Sequence, residues 1–223
     1  MRPLRALVDT RPLREYRAFR RLWLGTTASS FGSQFGTFAV TFHVWDRTHN
    51  AAAVGLIGLV TAAPLIAFAL LGSAFVDHVD RRRLVQAVTW GQFATSLLMA
   101  AVAAASGGVW LMLVMAGVAS ALSALGAPAR RTFVPHLLPG DRLAAGLALN
   151  HLSMQLAMLL GPVLAGLVTA RWGTAVCFLV DAVTFVAAVV GIAGLPATGG
   201  VDGTGRAGAP AVWEVSLFPT RTA

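Results

Sequence analysis

Asp181 is the residue of this chain best placed to do chemistry, because it stands well inside the apolar run Val176-Cys177-Phe178-Leu179-Val180-Asp181-Ala182-Val183. An ionised carboxylate is costly in hydrocarbon, so Asp181 must face a cavity, find a partner or take up a proton. Lining a pathway and exchanging a proton is one reading; bonding to a neighbouring helix is the other. Gln34, Asn150 and Gln155 are further polar groups at the depth of apolar segments. Amides there either line a cavity or hydrogen-bond between helices. Gln92 and His151 lie at similar depth. His43 titrates in a useful range, but its neighbour Trp45 suggests a membrane interface.

A second kind of chemistry is suggested by Asp77-His78-Val79-Asp80-Arg81-Arg82-Arg83, the densest run of charge. Set between two apolar stretches, it marks a water-facing turn. There the Asp77 carboxylate can accept hydrogen bonds from free backbone N–H groups or pair with Arg81 or Arg82. Retention of the arginines on one membrane side explains Arg81 to Arg83 equally well. At Gly161-Pro162, proline removes one backbone hydrogen bond and glycine allows close packing, which fits a bend, static or hinged.

Other chemistries find no footing. The polar residues show no metal-ligand spacing, and no phosphate-cradling glycine loop, nucleophile with a nearby base or carboxylate pair on one helix face stands out. Neither an enzyme nor a cofactor is expected. Cys177 is the single cysteine and has no intramolecular disulfide partner.

The elements that carry these groups follow from composition. Of 223 residues, 57% are hydrophobic and 12% charged, and the mean hydropathy is +0.72. That is the makeup of an integral membrane protein. The net charge of +8 sits at the ends of apolar runs instead of forming an aromatic-interleaved patch, so membrane orientation explains it and nucleic acid does not. All 17 basic residues are arginine, which fits a coding bias.

Crossing about 30 Å of hydrocarbon takes about 20 mostly apolar residues. Six stretches qualify: Leu22 to Trp45, Ala52 to Val76, Leu84 to Ser106, Val109 to Ala127, Leu143 to Ala170 and Thr174 to Leu195. The organisation expected is an Arg-rich segment over residues 1–21, an all-α bundle over 22–195 and a disordered Gly/Ala/Pro/Thr-rich tail over 196–223. The N-terminal segment and the second-to-third and fourth-to-fifth loops hold thirteen arginines, against only Arg47 and Arg171 on the other side. Cytoplasmic loops keep arginine, so both termini are expected in the cytoplasm and the chain in the inner (plasma) membrane, with no cleavable signal. Small residues recur at four-residue spacing in Gly32/Gly36, Gly117/Ala121, Ala157/Gly161 and Gly161/Ala165, as in closely packed membrane helices.

Together, six spans, cytoplasmic termini and a charged second-to-third loop resemble the N-terminal half of a major facilitator superfamily transporter, over roughly Phe19 to Pro196. The family's loop, approximately G-x-L-A-D-R-x-G-R-K, corresponds to Ser73 through Arg82, with Asp77 and Arg81 matching and Arg82 keeping the final charge. Ser73, His78 and Asp80 depart from it. Phe19-Arg20-Arg21-Leu22-Trp23, Pro128-Ala129-Arg130-Arg131 and Gly161-Pro162-Val163-Leu164-Ala165-Gly166 add to the likeness, which is strongest to the enterobactin-exporter and macrolide-efflux branch. Gly161, Pro162 and Gly166 match the family's antiporter motif, G-x-x-x-G-P-x-x-G-G, while Ala157 and Ala165 replace glycines.

The resemblance implies half of a twelve-helix fold, export of small amphipathic molecules by proton-coupled alternating access, and a gate latched by Asp77, Arg81 and Arg82 against a second half. It implies as partners the bilayer, a small-molecule substrate and a complementary six-helix surface. Three arrangements remain for the missing half: the chain pairs with itself as a homo-oligomer, it pairs with a separate half, or it is a truncated product. A non-transporting interaction or regulatory half is the competing class.

Overall fold

The computed structural model describes residues 9–71, 81–131 and 133–193. Every regular element among them is helical: α1 (Arg11–Glu15), α2 (Arg17–Thr48), α3 (Ala51–Leu71), α4 (Arg81–Ala104), α5 (Val109–Arg131), α6 (Phe133–Leu137), α7 (Gly140–Trp172) and α8 (Thr174–Ala193). The six long helices match the six expected spans. The expected tail over 196–223 lies outside the described residues.

Several boundaries move. α2 starts at Arg17, before the expected Leu22, because Phe19 and Leu22 are buried and extend its packed face. α5 runs on past Pro128 to Arg131, where an end at Ala127 was expected. Buried Ala129 holds that final turn in place despite the missing proline N–H. The short α1 and α6 were not anticipated.

Turns are tight where the sequence allows them. α2 ends at His49 in the left-handed region, whose N–H donates to the Trp45 carbonyl at 2.8 Å. α7 ends at Gly173, which has φ +85° and an N–H donating to Thr169 at 2.9 Å. Such short connections make successive long helices antiparallel neighbours.

α2 is the central helix. It packs most extensively on α8 and then on α7, while α8 packs on α4, α4 on α5 and α5 on α3, which returns to α2. Small residues set these crossings. On α7 the buried line Ala157, Gly161, Ala165, Thr169 faces inward, and bulky Leu159, Val163 and Leu167 point outward. Bulky apolar groups outside and small ones inside suit a helix surrounded by lipid.

Five helices, α3, α4, α5, α7 and α8, are long and apolar enough to cross a bilayer. α2 is equally long but carries Thr26, Ser29, Ser30, Ser33, Gln34 and Thr37. Three of these hydroxyls satisfy themselves by donating one turn back, Thr26 to Leu22 at 3.0 Å, Ser30 to Thr26 at 2.8 Å and Thr37 to Ser33 at 2.9 Å. This leaves α2 with a polar face inside the bundle.

Candidate functional site

The polar face of α2 opens onto two adjoining cavities, with Ser33 lining both. The larger, about 620 Å³, lies toward the arginine-rich end, between the first halves of α2 and α7 and the last turns of α5 and α8. Gln34, Asn150 and Arg130 contribute to its wall. The smaller, about 310 Å³, lies at mid-bundle and is walled by α2, α3, α4, α5 and α8, with Asp181 among its lining residues.

Asp181 is buried, and its surroundings follow from three helices. Ser96 of α4 donates its hydroxyl to Asp181 Oδ2 at 2.6 Å. Oδ1 has no hydrogen-bond partner among the described residues. Opposite stand Gly32 and Gly36 of α2: a Cβ at Gly32 would lie 2.9 Å from Asp181 Oδ1, and one at Gly36 would lie 3.0 Å from Oδ2. The Gly32/Gly36 pair therefore makes room for a carboxylate and for Thr184, which would also collide with a side chain at Gly32. Asp181 thus bonds to a neighbouring helix and also borders a cavity.

A second polar cluster went unrecognised in the sequence. Arg130 was assigned to a loop, yet it lies in the last turn of α5, and its guanidinium folds back across Gly126, whose Cβ would be 3.5 Å from Arg130 Nε. Arg130 Nη2 donates to Gln92 Oε1 at 2.6 Å and reaches Thr89 Oγ1 at 3.4 Å. Gln92 Nε2 in turn donates to Ser123 at 2.7 Å. The available signal was the fourfold spacing of Gly126 and Arg130, which lets a long side chain lie back along its own helix.

The remaining candidates separate. Gly161 meets α2 at Gln34, so close that a Cβ would overlap the Gln34 side chain. Gly166 is looser, its nearest neighbour being Phe38 at 3.5 Å. Pro162 sits inside α7, which continues through it. Gln155 is exposed and lines neither cavity. His43, read as a possible interface marker beside Trp45, is instead buried against the Gly107 backbone, while Trp45 faces outward. Asp77 lies outside the described residues, and of Arg81 and Arg82 only the backbone is described, as the start of α4.

Residues 9–198 match the family model described as transmembrane secretion effector. The chain belongs to that family of the major facilitator superfamily. It is a multi-pass membrane protein of a transporter family and not of an enzyme family. The resemblance read from the loop and fifth-span motifs is thereby established at family level.

Relatives within this superfamily include the multidrug efflux pump Tap of Mycobacterium tuberculosis, 26% identical over 180 residues, covering 78% of this chain and 43% of Tap. The staphyloferrin A transporter of Staphylococcus aureus is 20% identical over 161 residues, covering 71% of this chain and 41% of that protein. The uncharacterized MFS-type transporter YkuC of Bacillus subtilis is 23% identical over 171 residues, covering 76% and 40% respectively. The chain thus spans about two fifths of the length of these relatives. No solved structure matches it.

Proposed function

We propose that the chain is a secondary active transporter, or the N-terminal half of one, exporting small amphipathic molecules from the cytoplasm by proton-coupled alternating access. The observation that carries the coupling is Asp181, a buried carboxylate beside a mid-bundle cavity with one oxygen bonded to Ser96 and the other without a partner among the described residues. A group so placed can gain and lose a proton as the cavity opens and closes. Two relatives, a multidrug efflux pump and a staphyloferrin A transporter, support small-molecule export.

Other roles follow on this reading. The arginine-rich end faces the cytoplasm and the membrane is the inner (plasma) membrane. Gln34 and Asn150 line the larger cavity from which substrate is taken. Asp77, Arg81 and Arg82 latch the cytoplasmic gate against a second six-helix half, either separate or another copy of the chain. Gly161, Pro162 and Gly166 form the flexing part of α7.

Efflux of a fluorescent amphiphile tests the proposal, measured in cells expressing the chain alone and with a complementary six-helix half, under an imposed proton gradient. Gradient-driven efflux that Asp181→Asn uncouples is the expected result. Efflux still coupled in Asp181→Asn would remove the proton role. Retention unchanged in every case would leave a non-transporting membrane half.

A further inference from the structure

Arg130 differs from the other arginines in where its charge goes. A cation near the end of a membrane helix ordinarily snorkels outward to water. Arg130 does the reverse: its guanidinium lies back over Gly126 and is held by Gln92 and Thr89, two positions on α4 that face into the bundle. Building this costs a glycine, an amide and a hydroxyl, and Ser123 holds the amide in turn. Toward the described residues only Nη2 is used, and Nε and Nη1 make no hydrogen bond to any of them.

No described carboxylate compensates the charge where it sits. Among the described residues no carboxylate lies within ion-pair distance of Arg130, and the cavity that it lines has no acidic residue in its wall. The rest of that wall combines apolar Phe19, Leu22, Trp23 and Met154 with neutral polar groups such as Asn150. An apolar chamber with one positioned cation selects a molecule with an apolar body and an anionic head. The donors that no described residue takes up suit a carboxylate, which accepts from a guanidinium in a fork.

We propose that Arg130 is the anchor of an anion subsite in the larger cavity, and that the exported amphiphile is a carboxylate. This rests on the transporter reading for the word exported, while binding at the site does not.

The test uses dansyl-undecanoic acid and its uncharged amide, titrated by fluorescence into the full chain in phosphatidylcholine nanodiscs. The acid is expected to bind about ten- to a hundredfold tighter than the amide, the range of a charge-assisted hydrogen-bonded contact. Arg130→Met should erase the preference and Arg130→Lys should keep part of it. Asn150→Phe, which narrows the cavity from α7 without altering its charge, should weaken both probes alike. Equal affinity of acid and amide for the unaltered protein would overturn the proposal even if Arg130→Met failed to fold. Displacement of the acid by phosphatidylglycerol in the disc would overturn it too, assigning the anion to a lipid headgroup. Charge-selective binding without efflux would support the subsite and remove the transporter reading; efflux of acid and amide at equal rates would do the opposite.

Discussion

The carboxylate of Asp181 closes against the bare backbone of Gly36, where an added Cβ would stand 3.0 Å from Oδ2. One turn earlier, Gly32 faces Oδ1 and Thr184 even more tightly. Gly32→Ala should therefore destabilise the bundle by about 1–3 kcal/mol, the usual cost of overpacking. Thr184→Ala should recover part of that loss, because the threonine hydroxyl is what the new methyl meets. Thermal unfolding of the four proteins of this cycle in detergent measures the coupling, expected at about 0.5–3 kcal/mol. Additive losses would mean that the two side chains do not meet.

Ser96 supplies the hydrogen bond made to the buried Asp181 carboxylate by a side chain of another helix. Ser96→Ala should cost about 1–3 kcal/mol by leaving a buried acceptor unsatisfied. Asp181→Asn keeps the shape and can still accept from Ser96, so it should cost less. The order of the two melting temperatures is the readout, and an Asn variant less stable than the Ala variant would contradict the geometry.

Two glycines of one motif should respond differently. Gly161→Ala drives a methyl into Gln34 at the α2/α7 crossing, whereas Gly166→Ala adds one at ordinary contact with Phe38. The first should lose about 1–3 kcal/mol. The second should stay within about 0.5 kcal/mol, as neutral substitutions do. Equal losses would show that the motif acts through backbone flexibility and not through packing.

Pro162→Ala restores the N–H that proline lacks and should stiffen α7 without lowering its stability. If α7 flexes at this point during transport, efflux slows while the melting temperature holds or rises. An unchanged efflux rate would identify a static kink.

What was legible in the sequence followed from hydropathy and residue size. The apolar runs placed six long helices, the small-residue spacings placed the crossings at Gly32/Gly36 and Gly161, and the isolated Asp181 marked the mid-bundle cavity. Illegible was anything that depends on which way a side chain turns. Arg130 reads as loop charge until its guanidinium is seen folded back over Gly126, and His43 beside Trp45 reads as interface until one residue is found facing in and the other out. Ser96 carried no signal, since one serine among many in a span has no special spacing.

Arg142, at the start of α7, was likewise counted only as a topology marker, yet it gathers three carboxylates at 3.5 Å: Asp9, Glu15 and Asp141. Two of these lie before α2, so Arg142 ties the segment carrying α1 to the first turn of α7. Its partners are substantially exposed, and exposed pairs contribute at most about 1 kcal/mol each. Arg142→Gln should accordingly leave the melting temperature of the bundle nearly unchanged. The segment itself should loosen, because buried Pro12 and the packing of Leu13 and Tyr16 near Phe19 are then its remaining attachments. Limited tryptic digestion at Arg14 and Arg17 reads this out, with cleavage several-fold faster in Arg142→Gln than in the unaltered protein and the difference shrinking at high salt as screening weakens the pairs in the latter. Equal cleavage rates at low salt would mean that the apolar contacts alone hold the segment down.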